Sequence, residues 1–78
     1  MKIFVTLLGP IKNPYGENEH QLILEKEISL ADFLASHYEI THSQACNLVL
    51  LCNHQAIMPE YLLQDNDHIT VFLAAGGG

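Results

Sequence analysis

One helix-forming stripe stands alone in a sequence whose other apolar segments have the character of strands. Its apolar residues follow the i, i+3, i+4, i+8 spacing of a single helical face: Leu30, Phe33, Leu34 and Tyr38. Ser29 precedes the stripe as a candidate N-cap, and we predict that the helix ends near Tyr38. Because one short helix covers only one face of a sheet, the sequence predicts an α+β roll whose other sheet face is left to water or to a partner.

Short segments rich in β-branched, aromatic or alternating apolar residues predict five strands around this helix. They span Lys2–Leu8 and residues 20–25, 46–52, 55–58 and 68–73. Turns are predicted at Asn53-His54 and at residues 64–67, and residues 9–19 and 40–45 are predicted as loops. A chain of 78 residues has room for one such domain.

The charge balance excludes whole classes of function. The chain has nine acidic residues, three lysines and no arginine, for a formal net charge of −6. Nucleic-acid binding and attachment to anionic membranes both need a basic face, which Lys2, Lys12 and Lys26 cannot make. An acidic chain is instead suited to a partner with a basic surface.

Apolar runs and cysteine spacing predict a cytoplasmic setting. No run approaches the roughly 20 apolar residues of a membrane span, and the N-terminus lacks the pattern of a signal peptide. Cys46 and Cys52 flank an apolar run that, as a strand, holds them about 20 Å apart, too far for a disulfide. We therefore expect both thiols to be free in a reducing compartment.

Three glycines end the sequence, directly after the last predicted strand. At the average glycine frequency, chance places such a run there in roughly 1 chain in 3,000. Glycine has no side chain to pack and a low strand propensity, so Gly76, Gly77 and Gly78 do not help the fold. The run indicates a purpose outside the fold, and the alternative is a frayed end or a cloning remnant.

Five short segments carry a family resemblance: residues 1–5, 30–34, 50–54, 63–69 and 75–78. In that order they resemble the MoaD/ThiS family of small β-grasp (ubiquitin-like) sulfur carriers. The family includes the small subunit of molybdopterin synthase and the sulfur carrier of the thiamine pathway. The resemblance covers nearly the whole chain, and the order of the segments together with the glycines makes it specific.

The resemblance implies a β-grasp domain over residues 1–73, with a mixed four- to five-stranded sheet and one main helix packed on one face, followed by a flexible tail over residues 74–78. It implies no catalytic residues in the domain itself and no bound cofactor. A partner adenylating enzyme, similar to the E1 enzymes that activate ubiquitin, would use ATP to activate the C-terminal carboxylate, which is ionised at neutral pH and a poor electrophile. A sulfur donor would then displace AMP and leave a thiocarboxylate.

The resemblance also assigns roles to the terminal glycines. Gly78 is the residue expected to carry the sulfur, and Gly77 and Gly76 are expected to let the tail enter a narrow channel. Five residues beyond Leu73 reach at most about 17 Å, enough to thread such a channel while the domain docks outside it. If one residue is trimmed, Gly77 becomes the acceptor instead.

Two cofactor pathways stay open. The chain length and the long first loop favour molybdenum cofactor biosynthesis, in which the large subunit of molybdopterin synthase would receive the sulfur. Leu73-Ala74-Ala75 stands where molybdopterin-type subunits carry a Pro pair, and this favours thiamine biosynthesis, with thiazole synthase as the recipient. The rival hypotheses are a ubiquitin-like modifier or binding module, and an accessory domain whose glycines are incidental.

Strand alternation predicts a partner-binding face. Phe4 on the first strand, Val49 and Leu51 on the third, and Phe72 on the last all point away from the helix if their neighbours point toward it. In the β-grasp layout these three strands lie close together, so the four side chains are expected to form an exposed apolar patch. The alternative is a second small core covered by the first loop.

Other chemistry-bearing residues have ordinary structural interpretations. The five histidines and two cysteines lack the spacing of a zinc site, so no metal site is expected. Cys52 is expected to be a small core hydrophobe, and Asp65 and Asp67 are expected to be solvated turn formers. A solvated edge, which could steer a basic partner, is predicted for four acidic residues: Glu17, Glu19, Glu25 and Glu27.

Overall fold

The computed structural model describes residues 1–9, 11 and 13–73. Across these residues it contains five strands and two helices. In chain order they are β1 (Lys2–Leu8), β2 (Glu19–Ile23), α1 (Leu30–Tyr38), α2 (His42–Ala45), β3 (Leu48–Cys52), β4 (Gln55–Ala56) and β5 (Asp67–Leu73).

The strands form one mixed sheet in the order β2-β1-β5-β3-β4. The two central strands, β1 and β5, are parallel, and the remaining neighbours are antiparallel. The predicted α+β roll, with a mixed sheet of four to five strands and one main helix on one face, is confirmed. Neither described helix is long and apolar enough to cross a membrane.

Helix α1 begins and ends where its sequence predicts. The Ser29 hydroxyl caps the N-terminus by accepting from the Asp32 backbone N–H at 3.2 Å. Glu39 follows Tyr38 in the left-handed region, with φ of 58°, and its N–H donates to the Leu34 carbonyl, which ends the helix. The predicted apolar stripe is fully buried.

Helix α2 is a correction, because residues 40–45 were predicted as a loop. Thr41 and Gln44 form a capping box, in which each side chain accepts from the other residue's backbone N–H. The helix has one turn and buries only Ala45, so it shows no apolar period. The T-x-x-Q spacing was the available signal.

The bounds of four strands also differ from the prediction, and one of them, β5, starts at Asp67 rather than at residue 68. Strand β3 starts at Leu48 rather than at residue 46, because Asn47 is held in the turn after α2 by its hydrogen bond to the Gln44 carbonyl. Strand β2 is shifted toward the N-terminus, and β4 has only two residues. The predicted turn at Asn53-His54 is confirmed, with both residues at positive φ, the pattern of a tight I′ hairpin turn.

The core lies between α1 and one face of the sheet, here called the inner face. Alternate residues of β1 and β5 supply most of the sheet side, and the apolar stripe of α1 supplies the other. Fully buried sheet residues are Ile3, Val5, Leu7, Ile69 and Val71. The opposite face of the sheet, here called the outer face, carries the residues between them.

Candidate functional site

The central strand β5 terminates at one end of the sheet. It runs parallel to β1, so both strands end at the same edge, and Leu73 pairs there with Leu48 at the start of β3. The predicted sulfur-carrying residue Gly78 and its neighbours Gly77 and Gly76 lie outside the described residues. Leu73 is the last residue of β5 and the last described residue, and we call this end of the sheet, where β1 and β5 both terminate, the exit edge.

A row of apolar side chains crosses the outer face at the exit edge. Phe72 on β5 has Leu8 of β1 as its partner on one side and Val49 of β3 on the other. Leu51, two residues along β3, lies opposite Thr70. Phe72, Val49 and Leu51 are each half-buried, and Leu8 is 45% exposed. The structure thus brings three of the four predicted patch residues together beside the exit edge.

Phe4 lies apart from this row. Its partner on β5 is His68, four residues before Phe72, which is about 13 Å along the strand. The Phe4 ring stacks on the His68 ring with centroids 4.5 Å apart, and the Lys2 ammonium lies 5.9 Å from the Phe4 centroid. Phe4 therefore belongs to a polar, aromatic end of the outer face.

Leu8 is the member of the row that the predicted patch left out. Strand alternation places Leu8 on the outer face, as it does Phe4, but only the register between β1 and β5 shows which of them neighbours Phe72. That register was not visible in the sequence. We call Leu8, Val49, Leu51 and Phe72 the exit-edge patch.

Two described residues of the first loop, Ile11 and Tyr15, lie on the inner side of the sheet. The ring of Tyr15 stacks on His20 with centroids 5.0 Å apart and meets Tyr38 of α1 edge-on at 5.5 Å. The His20 backbone pairs with Val5, an inner-face residue. The alternative of a second buried core is not observed for the four predicted residues, since each is partly exposed.

A clamp of two hydrogen bonds holds the end of this loop. His20 Nε2 lies 2.6 Å from the Tyr38 hydroxyl, and Nδ1 lies 2.8 Å from the Glu17 carbonyl oxygen. Burial, with a smaller contribution from Tyr15, raises the pKa of Tyr38 far above its ordinary value of 10.0, so the phenol keeps its proton. The Glu17 carbonyl can only accept, so Nδ1 is the nitrogen that carries a proton toward it, and in the neutral imidazole Nε2 then accepts from the Tyr38 hydroxyl.

A depression of about 330 Å³ opens beside the exit edge, between the first loop, the end of α1 and the start of β3. Its lining combines apolar side chains with the polar side chains of Glu39, Gln44 and Asn47. The lining residues are Ile11, Tyr38, Glu39, Ile40, Gln44, Asn47, Leu48 and Leu73. The exit edge thus has an apolar row on its outer face and a recess on its inner side.

Asp67 corrects the prediction of a solvated turn. Its side chain is only 5% exposed, because Asp67 is the first residue of β5 and points to the inner face with Ile69 and Val71. The carboxylate accepts from the Tyr61 hydroxyl at 2.7 Å, the Gln64 N–H at 2.8 Å and the Asn53 side-chain amide at 3.3 Å. Asp67 therefore anchors the β3–β4 turn and the loop before β5.

Asp65 behaves as predicted. It is exposed in the turn, where its carboxylate accepts from the Lys2 backbone N–H at 2.7 Å.

The hydrogen bond from Tyr61 to Asp67 is the main cause that raises the pKa of the Tyr61 phenol above its ordinary value of 10.0. This proton stays within the structural network.

The two cysteine thiols lie in different surroundings. Both cysteines are free; Cys52 is buried, as predicted, and Cys46 is exposed. Burial raises the pKa of the Cys52 thiol above its ordinary value of 9.0, which disfavours the thiolate. Among the described residues, no three His, Cys, Asp or Glu side chains are placed to hold a metal ion.

Comparisons with known proteins give a fold and no family. No protein-family model matches the sequence, and no curated protein matches it. The crystal structure of SAMP1 from Haloferax volcanii superimposes with a TM-score of 0.71 and 13% sequence identity, over 100% of both chains. The fold is the β-grasp. This agrees with the fold that the sequence resemblance implies.

Proposed function

We propose that the chain is a sulfur carrier whose C-terminal Gly78 is adenylated by an E1-like enzyme and then converted to a thiocarboxylate. One observation carries the proposal. The central strand of a β-grasp sheet ends at Leu73, beside an exposed apolar row, and the sequence continues from there as Ala-Ala-Gly-Gly-Gly. A docking surface and a slender reactive end would then meet at one edge of the molecule.

The chemistry lies in the partner. The terminal carboxylate attacks the α-phosphate of ATP, forms an acyl-adenylate and releases pyrophosphate. Hydrosulfide released by a sulfur donor then attacks the acyl carbon, AMP leaves with the bonding electrons, and loss of the S–H proton leaves the thiocarboxylate. This chain presents the carboxylate, and it needs no acid, base or metal of its own for either step.

The two parts of the site have separate tasks in this proposal. The exit-edge patch provides affinity, because half-exposed apolar side chains gain from burial against a partner. Gly76 and Gly77 lack Cβ atoms and let the end pass a narrow opening. Phe4, which the sequence placed in the same patch, would contact only a partner that extends over the whole outer face.

Molybdenum cofactor biosynthesis is the pathway we favour, with the large subunit of molybdopterin synthase as the recipient of the sulfur. The support is the long first loop, whose C-terminal end is held to α1 through the hydrogen bond between His20 and Tyr38. The thiamine pathway, with thiazole synthase as recipient, is the alternative, and it rests on the missing Pro pair before the glycines.

Intact mass spectrometry tests the proposal. The protein with its native C-terminus is co-expressed with the adenylating enzyme of each pathway, alongside that enzyme's own carrier as a positive control. We expect a mass increase equal to the replacement of one oxygen by sulfur. Loss of one glycine before that increase would assign the acceptor to Gly77. No increase under conditions that load the positive control would overturn the proposal.

The docking role of the patch has its own matched variants. Phe72→Ser removes the centre of the exit-edge patch, and Met58→Ser removes an equally apolar side chain, 68% exposed, elsewhere on the surface. We expect Phe72→Ser to slow sulfur loading by about tenfold, the effect of losing roughly 1.4 kcal/mol of interface energy. Met58→Ser is expected to load at the wild-type rate, and equal rates for the two variants would argue against the patch.

A ubiquitin-like modifier is the second candidate. The likeness in fold to SAMP1, which is a ubiquitin-like small archaeal modifier protein, favours it. A modifier would use the same activated end to form an isopeptide bond with a lysine of another protein. The same mass experiment separates the two candidates. Adducts on other proteins that disappear when Gly77-Gly78 is deleted would support the modifier, and a sulfur-for-oxygen exchange alone would support the carrier.

A further inference from the structure

Strand β2 forms an open edge of the sheet. Among the strands of the described part of the chain, it pairs with β1 alone. The opposite edge strand, β4, has only two residues, whereas β2 has five and contains neither proline nor lysine. A long edge strand without proline or lysine can pair with a strand of another chain, because those residues hinder such pairing.

The hydrogen-bond register shows which backbone groups of β2 are open. Met1 and Leu24 donate to each other's carbonyls at 2.9 and 2.7 Å, and at the other end the Leu7 N–H donates to the Asn18 carbonyl at 2.8 Å. Bonded pairs alternate along an antiparallel ladder, so residues 18, 20, 22 and 24 direct their backbone groups toward β1. Glu19, Gln21 and Ile23 therefore direct theirs outward.

The open edge has room for the side chains of an added strand on both sides. Glu19, Gln21 and Ile23 are all exposed, and Ile23 is 68% exposed. A shallow depression of about 410 Å³ lies on the helix side, between residues 23–28 and His37 of α1. Another of about 420 Å³ lies on the outer face, over Phe4, Gln21 and His68.

Charge decides what can occupy this edge. Four exposed glutamates lie in and around the strand: Glu17, Glu19, Glu25 and Glu27. Lys26 is the lysine beside them. In a symmetric antiparallel pair of two copies, centred on Gln21, Glu17 of one copy would face Glu25 of the other. Like charges directly opposite each other destabilise a strand pair, so a second copy is disfavoured and a cationic strand is favoured.

We infer that the open edge of β2 binds an extended cationic segment of another protein by strand addition. The outward N–H and C=O groups of Glu19, Gln21 and Ile23 supply the backbone hydrogen bonds, and the surrounding glutamates pair with alternate Lys or Arg side chains of the segment. The inference does not depend on the chemistry of the C-terminal glycines.

Amide hydrogen exchange tests it with the full-length protein and a synthetic peptide of alternating lysine and valine. Without peptide, the Gln21 and Ile23 amides exchange quickly, while those of Leu22 and Leu24 are protected by β1. With peptide, we expect protection of the Glu19, Gln21 and Ile23 amides and weaker binding as the salt concentration rises. A peptide with N-methylated backbone and the same charge is expected not to protect them.

Two variants separate backbone pairing from charge. Gln21→Pro removes one outward N–H and leaves the bonds of β2 to β1 intact, and we expect about fivefold weaker peptide binding, the loss of one net hydrogen bond. Glu25→Gln with Glu27→Gln is expected to weaken binding without moving the protected amides.

Three outcomes would overturn the inference. One is equal binding of the N-methylated peptide, which would mean attraction by charge alone. Another is the absence of protection at these three amides when the peptide is present. The last is protection that appears without peptide and grows with protein concentration, which would identify the occupant as a second copy.

Discussion

The same strands make both faces of the sheet, but the side chains of the two faces differ in how far they are buried. On β1, Ile3, Val5 and Leu7 point to the inner face and are at most 2% exposed, whereas Phe4 and Thr6, the residues between them, are only half-buried. The difference is that α1 covers the inner face, while no described helix covers the outer one. Stability therefore depends on the inner face, and the outer face is free to bind.

The largest test of this contrast uses two adjacent leucines of β1. Leu7→Ala empties a fully buried position and is expected to cost about 2–5 kcal/mol, while Leu8→Ala, 45% exposed in the wild type, is expected to cost less than about 1 kcal/mol. A domain of this size has only about 3–5 kcal/mol of net stability, so Leu7→Ala approaches complete unfolding. Urea denaturation followed by circular dichroism measures the free energy of unfolding of both variants. Equal losses of stability would show that the two faces contribute equally.

The second test asks whether the buried carboxylate of Asp67 on the inner face contributes to the free energy of unfolding, as the apolar residues of that face do. Asp67→Ala leaves the Tyr61 hydroxyl, the Gln64 N–H and the Asn53 amide without their acceptor, and we expect a loss of about 1–3 kcal/mol. Asp65→Ala, at an exposed turn position, is the control and is expected to cost less than about 1 kcal/mol. The same urea measurements decide, and a smaller loss for Asp67→Ala than for the control would contradict the network.

The third test uses pH to probe burial of Tyr38 on the inner side. Its pKa is raised in the folded protein, so the folded state holds the phenolic proton more tightly than the unfolded chain does. The resulting stability is complete below the ordinary pKa of 10.0 and is lost as the pH rises above it, by up to about 1.4 kcal/mol per pH unit. Tyr38→Phe is expected to reduce this slope in urea titrations between neutral and alkaline pH, and an unchanged slope would show that the phenol is accessible in the folded state.

The smallest effect is expected outside both faces, at the turn between β3 and β4. His54 has φ of 71°, a region that glycine adopts without strain. His54→Gly is expected to raise stability by up to about 1 kcal/mol, whereas His54→Ala, which keeps the Cβ, is expected to bring no gain. Thermal unfolding of the pair measures the difference, and a gain from alanine would point to the imidazole instead of the backbone.

Local patterns predicted most of the elements. The stripe from Leu30 to Tyr38 and the Ser29 cap located α1 because helix periodicity and capping act within a few residues. Alternation located β1 and β5, and it also separated inner from outer residues. Helix α2 was missed because a single turn with one buried residue has no measurable period.

The candidate site was predicted in part. Alternation put Phe4, Val49, Leu51 and Phe72 on one face, which is where they lie, but it could not show that Phe4 is remote from Phe72 or that Leu8 replaces it. That depends on the parallel register of β1 with β5, which joins residues more than 60 positions apart in the chain. Asp67 was misjudged for a different reason: the predicted strand began at residue 68, so the alternation with Ile69 and Val71 that points Asp67 to the inner face was not extended to it.

The sequence alone determined helix α1, the approximate place of each strand, the side of the sheet that most strand residues occupy, the acidic charge and the glycines at its end, because each of these is set by near neighbours or by composition. Only the tertiary structure decided the strand order, the apolar row at the exit edge, the clamp on the first loop and the open side of β2. These depend on pairing between distant segments, where many registers satisfy the same alternation and only the packing of the whole sheet selects one.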